Sequence, residues 1–354
     1  MKNRSIRFAR SLLIVALLSP AAATLFAAGP PPPMAPHYHL VRRIALGGSG
    51  SWDYMTLDNA VRRLYVTNHT HVMVVNPDTG KVVGDIPNTQ GVHGVALDPE
   101  RGLGFTSNGE AASVTTFNLK TLKTVRVTEG TGEKPDCIVY DPASRRVFTF
   151  NGKSDSSTVI DPVTGKIIKT IPLGGEPEFA VADGKGNIFN NITDKDELIR
   201  IDTRNMTVVN RWPLGCADST GLSMDHENRR LFVGCRDQHM QIVNADTGHV
   251  IKSLPIGKVV DATRYDPETK LAFASNGGGT VTVVRELSPD DFEVVQTVET
   301  QIGARTMELD PETHNIFVVT AAKLIPPAAA TPENPHPRPT LIPGTPIVLL
   351  EYAP

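Results

Sequence analysis

Seven side chains that could do chemistry occupy one equivalent position of an internal repeat. Each lies five residues before an aspartate that recurs every 40 to 44 residues. A purely structural position of a repeat usually keeps one residue type, whereas this position changes from one repeat to the next. In chain order the seven residues are Asp53, His93, Asp136, Glu178, Thr220, Asp261 and Arg305. The pattern indicates a polar site to which every repeat contributes one group.

Four of these seven side chains are carboxylates, and carboxylates that face one another repel. Two of them about 8 Å apart repel by roughly 2 kcal/mol at an effective dielectric constant near 20. We expect Arg305 to pair with Asp261 and Asp53, which leaves Asp136 and Glu178 with only His93 nearby. A divalent cation, a cationic ligand or a shared proton would offset the remaining repulsion. The alternative is an inert polar channel filled with water.

A metal ion in this site would be Ca²⁺, Mg²⁺ or Zn²⁺. Its candidate ligands are the four carboxylates of the repeat position, Asp53, Asp136, Glu178 and Asp261. Trp52 precedes the first of them and could form a wall of a ligand pocket, although packing within a repeat explains it equally well. His69 and His71 lie in a neighbouring loop, where a solvated hairpin tip is more typical than a metal site.

The recurring aspartates also define the elements that position these side chains. A short apolar strand ending in Asn or a substitute follows each aspartate, and alternating apolar residues and turn residues indicate two further strands. Four strands in a period of 40 to 45 residues are typical of a β-propeller blade. The aspartates are Asp58, Asp98, Asp141, Asp183, Asp225, Asp266 and Asp310. The sequence therefore predicts an all-β, seven-bladed β-propeller with four-stranded blades.

The two ends of the chain complement each other. Residues 39–47 match the outer strand of a blade but follow no inner strands, and the last repeat stops at residue 352 without an outer strand. We predict that the N-terminal strand completes the C-terminal blade, because this pairing removes two exposed sheet edges. The innermost strand of every blade lines the central channel, so the seven polar residues should meet at its mouth.

The N-terminal residues read as a targeting segment. Residues 1–23 combine four basic residues, an apolar run and an Ala-rich cleavage site, which is the pattern of a secretory signal peptide. The apolar run is shorter than a membrane-spanning helix requires. Residues 24–36 would form a Pro-rich spacer, and residues 37–354 a single propeller. We expect a periplasmic or secreted monomer with no membrane span after cleavage.

The charge balance of the chain argues against one class of function. The chain has 35 Lys and Arg against 38 Asp and Glu, and without the predicted signal the balance is 31 against 38. This acidic balance disfavours nucleic-acid binding, which uses basic patches.

We predict a disulfide between Cys216 and Cys235, which lie in one repeat, and a buried thiol at Cys137.

A long Pro-rich segment, residues 323–346, interrupts the last repeat. Loops of this length without secondary structure are uncommon in compact domains and are usually functional. The segment joins two strands of the predicted last blade on the same side as the polar site. We therefore interpret it as a lid over the channel mouth.

The segment Leu64-Tyr-Val-Thr-Asn68 resembles the pentapeptide of the YVTN family of β-propeller repeats, which includes the YncE-like exported bacterial proteins. The resemblance extends over residues 37–354. The sequence contains no recognisable nucleophile–base motif or cofactor fingerprint, and propellers often serve as rigid platforms, so we expect a platform that binds a small ligand, an ion or a protein partner at the channel mouth. The alternative is an enzyme similar to metal-dependent propeller lactonases or lyases, with Glu178 or another carboxylate as base, His93 as proton carrier and Arg305 as anion clamp. Those lactonases commonly have Asn among their metal ligands, and the polar position contains none, so we favour the binding platform.

Overall fold

A computed structural model describes residues 37–48, 50–329, 331, 337 and 339–354. The predicted signal peptide and spacer lie outside the described residues. The described residues belong to one compact unit, which is almost entirely β-structure with two short 3-10 helices, Asn59–Val61 and Thr193–Lys195. Within these residues, no helix has the length and apolar character needed to cross a membrane.

Six consecutive four-stranded antiparallel sheets form blades one to six. Blade one contains β2 (Met55–Asp58), β3 (Arg63–Asn68), β4 (His71–Val75) and β5 (Val82–Ile86), and blade two contains β6 (Val92–Asp98), β7 (Leu103–Asn108), β8 (Ser113–Asn118) and β9 (Thr124–Glu129). Blade three contains β10 (Pro135–Asp141), β11 (Arg146–Asn151), β12 (Ser156–Ile160) and β13 (Ile167–Pro172), and blade four contains β14 (Pro177–Ala182), β15 (Asn187–Ile192), β16 (Glu197–Asp202) and β17 (Thr207–Pro213). Blade five contains β18 (Ser219–Asp225), β19 (Arg230–Cys235), β20 (His239–Asn244) and β21 (Val250–Pro255), and blade six contains β22 (Val260–Asp266), β23 (Leu271–Asn276), β24 (Thr280–Ser288) and β25 (Asp291–Glu299).

Blade seven is assembled from both ends of the described chain. Its strand order is β26 (Thr306–Leu309), β27 (Ile316–Ala321), β30 (Ile347–Ala353) and β1 (His39–Gly47). Strand β1 pairs antiparallel with β30 from His39 opposite Ala353 to Gly47 opposite Ile347. The predicted seven-bladed propeller and its closure by the N-terminal strand are therefore confirmed.

The segment before β1 is also attached to blade six. The ring of Tyr38 is buried and lies edge-on to the ring of Phe273, with 5.1 Å between their centres. The Tyr38 hydroxyl donates a hydrogen bond to the carbonyl oxygen of His314 at 2.9 Å. Ile44 and Leu46 of β1 pack in the core of blade seven. These contacts fix the strand that closes the propeller.

One aromatic ring occupies the same position of the second strand in every blade. Each ring is at most 1% exposed, so the blades pack on one another through an equivalent buried aromatic layer. Full burial of such a side chain stabilises the folded state by about 1.5–3 kcal/mol. The rings are Tyr65, Phe105, Phe148, Phe189, Phe232, Phe273 and Phe317.

The recurring aspartates close the turns after the innermost strands. The carboxylate of Asp141 accepts hydrogen bonds from the backbone N–H groups of Ala143 and Ser144, at 3.3 and 2.9 Å. Asp225 makes the same contacts with Glu227 and Asn228, at 2.9 and 3.2 Å. The repeated aspartates therefore stabilise the turns between the first and second strands, because a carboxylate at this position accepts hydrogen bonds from turn N–H groups that have no strand partner.

Cysteines add one covalent link to blade five. A disulfide joins Cys216, just before β18, to Cys235 at the end of β19, with 6.1 Å between the two Cα atoms. Cys137 is a free, buried thiol in β10. Burial raises the pKa of this thiol to about 12, so it remains protonated and chemically inert at neutral pH.

Candidate functional site

The polar position of the repeat lies at the start of the innermost strands, around the channel. We call its seven residues the mouth ring. In blades two to six the pairing between the first and second strands is irregular at the ring residue, for example between Val92 and Val95 on either side of His93. A bulge interrupts the ladder and re-aims the side chain. The fold thus uses the same local irregularity to present a different polar group from each of these blades.

Three groups of the mouth ring meet in one cluster. His93 Nδ1 lies 2.5 Å from Asp53 Oδ2 and 3.4 Å from Asp136 Oδ1. Lys134 Nζ lies 3.1 Å from the other carboxylate oxygen of Asp136. Lys134 was not identified from the sequence. It lies two residues before the ring residue Asp136, and an alignment of the repeats that extended beyond the ring position would have included it.

The charges of this cluster balance one another. Burial lowers the pKa of His93, but the hydrogen bond with Asp53 and the charge of Asp136 outweigh it and raise the pKa to about 9. His93 is therefore a cation at neutral pH. Burial raises the pKa of Asp136, while the positive charges of His93 and Lys134 oppose that rise. Asp136 thus has two cationic neighbours, where the sequence analysis expected one.

The carboxyl group of Glu178 has a raised pKa. Desolvation and then repulsion from Asp136 raise its pKa to about 8, although the charge of Arg236 acts in the opposite direction. The side chain is therefore mainly uncharged at neutral pH. Basic side chains and a retained proton thus offset part of the carboxylate repulsion in the ring.

The opposite side of the ring is basic. Arg305 Nε lies 3.1 Å from Asp261 Oδ2, and Arg305 Nη2 donates a hydrogen bond to the carbonyl oxygen of Trp52 at 3.1 Å. Arg236 Nη2 lies 3.5 Å from the other oxygen of Asp261. We expected Arg305 to pair with Asp53 as well, but Asp53 is held by His93. Trp52 is 5% exposed and packs in the core of blade seven, while its ring also lies 5.5 Å from the Arg305 guanidinium carbon.

Thr220 and the two loop histidines lie outside this chemistry. The Thr220 hydroxyl is buried and donates a hydrogen bond to the carbonyl oxygen of Val260 at 3.0 Å, which links blades five and six. His69 Nδ1 lies 3.8 Å from Glu110, and His71 Nε2 lies 3.8 Å from Asp85. Both contacts are with surface carboxylates.

The structure brings together only part of the predicted metal-ligand set. Within the described ranges, Asp53, His93 and Asp136 form one group whose ligand atoms lie within 4.8 Å of one another, and Cys216, Cys235 and Asp237 form another. The two cysteines of the second group are bonded to each other. In the first group a cation must displace a proton of His93, because only neutral imidazole is a ligand, and must compete with Lys134 for Asp136. Glu178 and Asp261 belong to neither group.

Two aromatic rings close the channel directly below the mouth ring. Tyr54 follows Asp53 and Phe179 follows Glu178, and the centres of their rings are 4.4 Å apart although they come from blades one and four. Below them a cavity of about 310 Å³ is lined by residues of all seven innermost strands, including the ion pair of Arg264 and Glu308 at 2.8 Å. The mouth is thus a concave surface with the apolar rings of Tyr54 and Phe179 at its base, and these rings explain the desolvation of Glu178.

A larger cavity opens beside the ring, against the Pro-rich segment. Its volume is about 470 Å³, and Arg236, Lys258 and Arg305 line one side of it. Pro327, Ala328, Pro337 and Pro339 line the other side. The segment contains a two-stranded hairpin of β28 (Leu324–Ile325) and β29 (Thr340–Leu341). Residues 330, 332–336 and 338 lie outside the described residues, and the described part of the segment borders the mouth. Lys258 is a second basic residue that the sequence analysis did not single out.

Comparisons with known proteins support the fold. No protein-family model matches this chain, and neither does any curated protein sequence. Among solved structures, a chain in the crystal structure of a mitotic checkpoint complex is similar with a TM-score of 0.73 and 14% identity, covering 97% of this chain and 99% of that one. A chain of the hydrazine synthase of Kuenenia stuttgartiensis is similar with a TM-score of 0.66 and 15% identity, covering 77% and 93%. At these identities the similarity shows a shared β-propeller fold.

Proposed function

We propose that this chain is an exported β-propeller of the YVTN/YncE-like kind that binds a small ligand at its mouth. The observation that carries the proposal is the cavity of about 470 Å³ between the basic side of the mouth ring and the Pro-rich segment. Small-molecule sites are typically concave, about 300–1,000 Å³ in volume, and combine apolar walls with a few polar groups. This cavity has the required size and both kinds of wall.

Family and location belong to the same proposal. Leu64-Tyr-Val-Thr-Asn68 and its repeated variants support the YVTN/YncE-like assignment, and the basic, apolar and Ala-rich sections of residues 1–23 support export. A disulfide in blade five fits an oxidising compartment such as the periplasm. The assignment to a compartment is tested by fractionating cells that express the full chain and determining the N-terminal residue of the mature protein.

Binding is favoured over catalysis because the ring groups already satisfy one another. His93 is held by Asp53, Asp136 by Lys134 and Asp261 by Arg305. A general base or nucleophile needs a free position from which it can reach a substrate. Such pairing instead makes the ring a rigid, preorganised rim beside the cavity.

Ligand binding is tested by thermal unfolding of the full chain against a small-molecule collection that contains acids, amines, neutral compounds and divalent metal salts. A ligand present at 100 times its Kd stabilises the folded state by about 2.7 kcal/mol and raises the unfolding temperature. We expect Ala328→Trp, which places an indole in the cavity, to abolish the shift. Ala329→Trp is the matched control, because Ala329 is exposed and does not line the cavity. Ligands that stabilise both variants equally would place binding elsewhere.

A metal-dependent lactonase- or lyase-like enzyme is the second candidate function. The group of Asp53, His93 and Asp136 favours it, as does Glu178, a carboxyl group that retains its proton at neutral pH and could act as an acid. A divalent ion in this group would polarise a carbonyl or carboxylate of the substrate. Elemental analysis of the purified exported protein distinguishes the two functions. Near-stoichiometric metal that is lost in Asp136→Asn would support the enzyme, whereas metal-free protein would leave the binding platform.

A further inference from the structure

We infer that the cavity beside the mouth ring binds a small organic anion, with its carboxylate on the basic wall and its apolar body on the prolines. This inference rests on the proposed function, which leaves the class of ligand open.

The basic wall is built from three blades. Arg236 follows β19 of blade five, Lys258 precedes β22 of blade six and Arg305 precedes β26 of blade seven. The lining within the described part of the chain contains these three cations and no carboxylate. Asp261 contacts two of them from outside the lining, at 3.1 Å from Arg305 and 3.5 Å from Arg236. Three positive charges thus line the cavity, and Asp261 offsets part of them through two of the three cations, so the cavity favours an anion.

Arg236 has hydrogen-bonding capacity that the described residues do not use. Its Nε and Nη2 atoms are buried and have no hydrogen-bond partner within the described part of the chain, and its side chain is only 15% exposed. A guanidinium group stays charged at any pH that a protein tolerates, and its planar set of donors matches the two oxygens of a carboxylate. Arg236 is largely buried beside the cavity, and although its Nη2 lies 3.5 Å from Asp261, its Nε–H group makes no hydrogen bond within the described residues and could donate to an anion.

The remaining lining is mostly apolar or lacks side-chain charge. Pro327, Ala328, Pro337 and Pro339 of the Pro-rich segment line the cavity together with Val259 and Ile302. Gly277 and Gly278 use their N–H groups in hydrogen bonds to Val259 and Lys258, so this stretch contributes space and no free donors. A ligand that fills about 470 Å³ against such walls has an apolar body of aromatic size in addition to its charged group.

A cationic ligand is disfavoured at the same place. The described lining contains Arg236, Lys258 and Arg305 and no carboxylate. Lys258 is exposed to solvent and lines the cavity. An incoming amine or metal ion would therefore meet like charge along the wall.

The test is isothermal titration calorimetry of the full chain with two matched probes, 1-naphthoate and the neutral 1-naphthalenemethanol. We expect 1-naphthoate to bind at least about tenfold more tightly, since one carboxylate–arginine pair separates the two probes. Arg236→Gln should weaken the binding of 1-naphthoate by about tenfold or more. Lys258→Gln should weaken it by a few fold, and because Lys258 is exposed this variant is expected to fold normally.

Lys153→Gln is the matched control. Lys153 lines a different cavity beside His93 and Lys134, so removing its charge should leave the affinity within about twofold of the original. Equal binding of the two probes would overturn the inference. So would equal weakening by Lys153→Gln and Arg236→Gln, because the attraction would then come from the general field of the protein. Inorganic phosphate that binds as tightly as 1-naphthoate would overturn the role of the apolar wall.

The outcome is separable from that of the proposed function. If 1-naphthoate does not bind while another class of compound gives a thermal shift that Ala328→Trp abolishes, the anion site is wrong and the binding platform stands. If no compound gives a shift that is sensitive to Ala328→Trp, both proposals fail.

Discussion

The four carboxyl groups of the mouth ring differ in the interactions that offset their charge. Asp53 and Asp136 share the protonated His93, and Lys134 supplies a further charge to Asp136. Asp261 lies between two arginines. Glu178, with the apolar floor of Tyr54 and Phe179 below it, keeps its proton. The charge of each carboxyl group is therefore offset by a different local interaction. The ring contains charges of both signs and is not simply acidic.

The proton on Glu178 has a consequence for stability against pH. Its pKa is about 8 in the folded state and near the ordinary value of about 4.5 in the unfolded chain, so between these values the folded state binds more protons. Its contribution therefore becomes steadily more unfavourable as pH rises from about 4.5 to about 8, and is constant above. Glu178→Gln should equal the wild type near pH 4.5 and be more stable at pH 8.5, by roughly 3–5 kcal/mol. Thermal unfolding at the two pH values checks this, and a difference that is the same at both would contradict it.

The charge of His93 depends on its aspartate partner. Its raised pKa means that the stabilising ion pair is fully present below about pH 6.5 and is lost as pH rises through about 9. Asp53→Asn removes the hydrogen-bonded carboxylate at 2.5 Å, so we expect the His93 titration midpoint to fall by at least one pH unit, as about 1.4 kcal/mol of differential interaction is lost per unit. NMR titration of the imidazole signals measures this shift, with Thr220→Val as a ring variant that removes no charge. An unchanged midpoint would mean that Asp136, and not Asp53, keeps the pKa of His93 raised.

At the scale of elements, the blades are held by a repeated aromatic residue rather than by the polar positions. Phe148 of β11 is fully buried, like its six equivalents in the other blades. The turn aspartates and strand-end asparagines support this frame. In blade two, Asn108 Nδ2 donates hydrogen bonds to the hydroxyl oxygens of Ser113 and Thr115, at 3.1 and 2.9 Å, and so ties the second strand to the third.

Removing one ring of the aromatic layer should be costly. Phe148→Ala is expected to lower the free energy of unfolding by about 3–5 kcal/mol, the usual cost of an aromatic side chain lost from a packed core. Val163→Ala in the turn of the same blade is the control, since Val163 is 56% exposed and its loss should change stability by about 0.5 kcal/mol or less. Denaturant unfolding followed by far-UV circular dichroism gives both values. Similar losses for the two variants would show that the layer does not carry the blade packing.

The repeat explains how much of this architecture could be predicted. Spacing of the aspartates and asparagines is local in the sequence, so it was sufficient to predict the seven blades, the closing strand and the ring positions. Contacts of the ring could not be predicted in the same way, because they join residues of different blades. The contact between Lys134 and Asp136 depends on the irregular start of β10, which sets the direction of the carboxylate. The contact between Tyr54 and Phe179 crosses the channel from blade one to blade four. Repeat spacing contains no information on such distances.

At the scale of the whole molecule, the propeller is a closed ring that functions as a shallow bowl. The channel does not run freely through it, since Tyr54 and Phe179 meet below the mouth ring. The basic wall, which includes Arg305 of the ring, and the Pro-rich segment line the same cavity. Closure of the ring holds these parts at fixed positions, because the basic wall includes blade seven, whose outer strand comes from the N-terminal end of the described chain.

This closure predicts a difference between two substitutions in one strand. Ile44 of β1 is 9% exposed and packs in the core of blade seven, whereas Leu40 of the same strand is 48% exposed. Ile44→Asp buries an unpaired charge and should release β1, at a cost of about 3 kcal/mol or more, and the uncovered edge of β30 would then be open to other chains. Leu40→Asp should change stability by about 0.5 kcal/mol or less and leave the protein unassociated. Thermal unfolding together with size-exclusion chromatography and light scattering measures both effects. If Ile44→Asp unfolded at the wild-type temperature without self-association, β1 would be dispensable, and the remaining three strands of blade seven would suffice to hold the mouth in place.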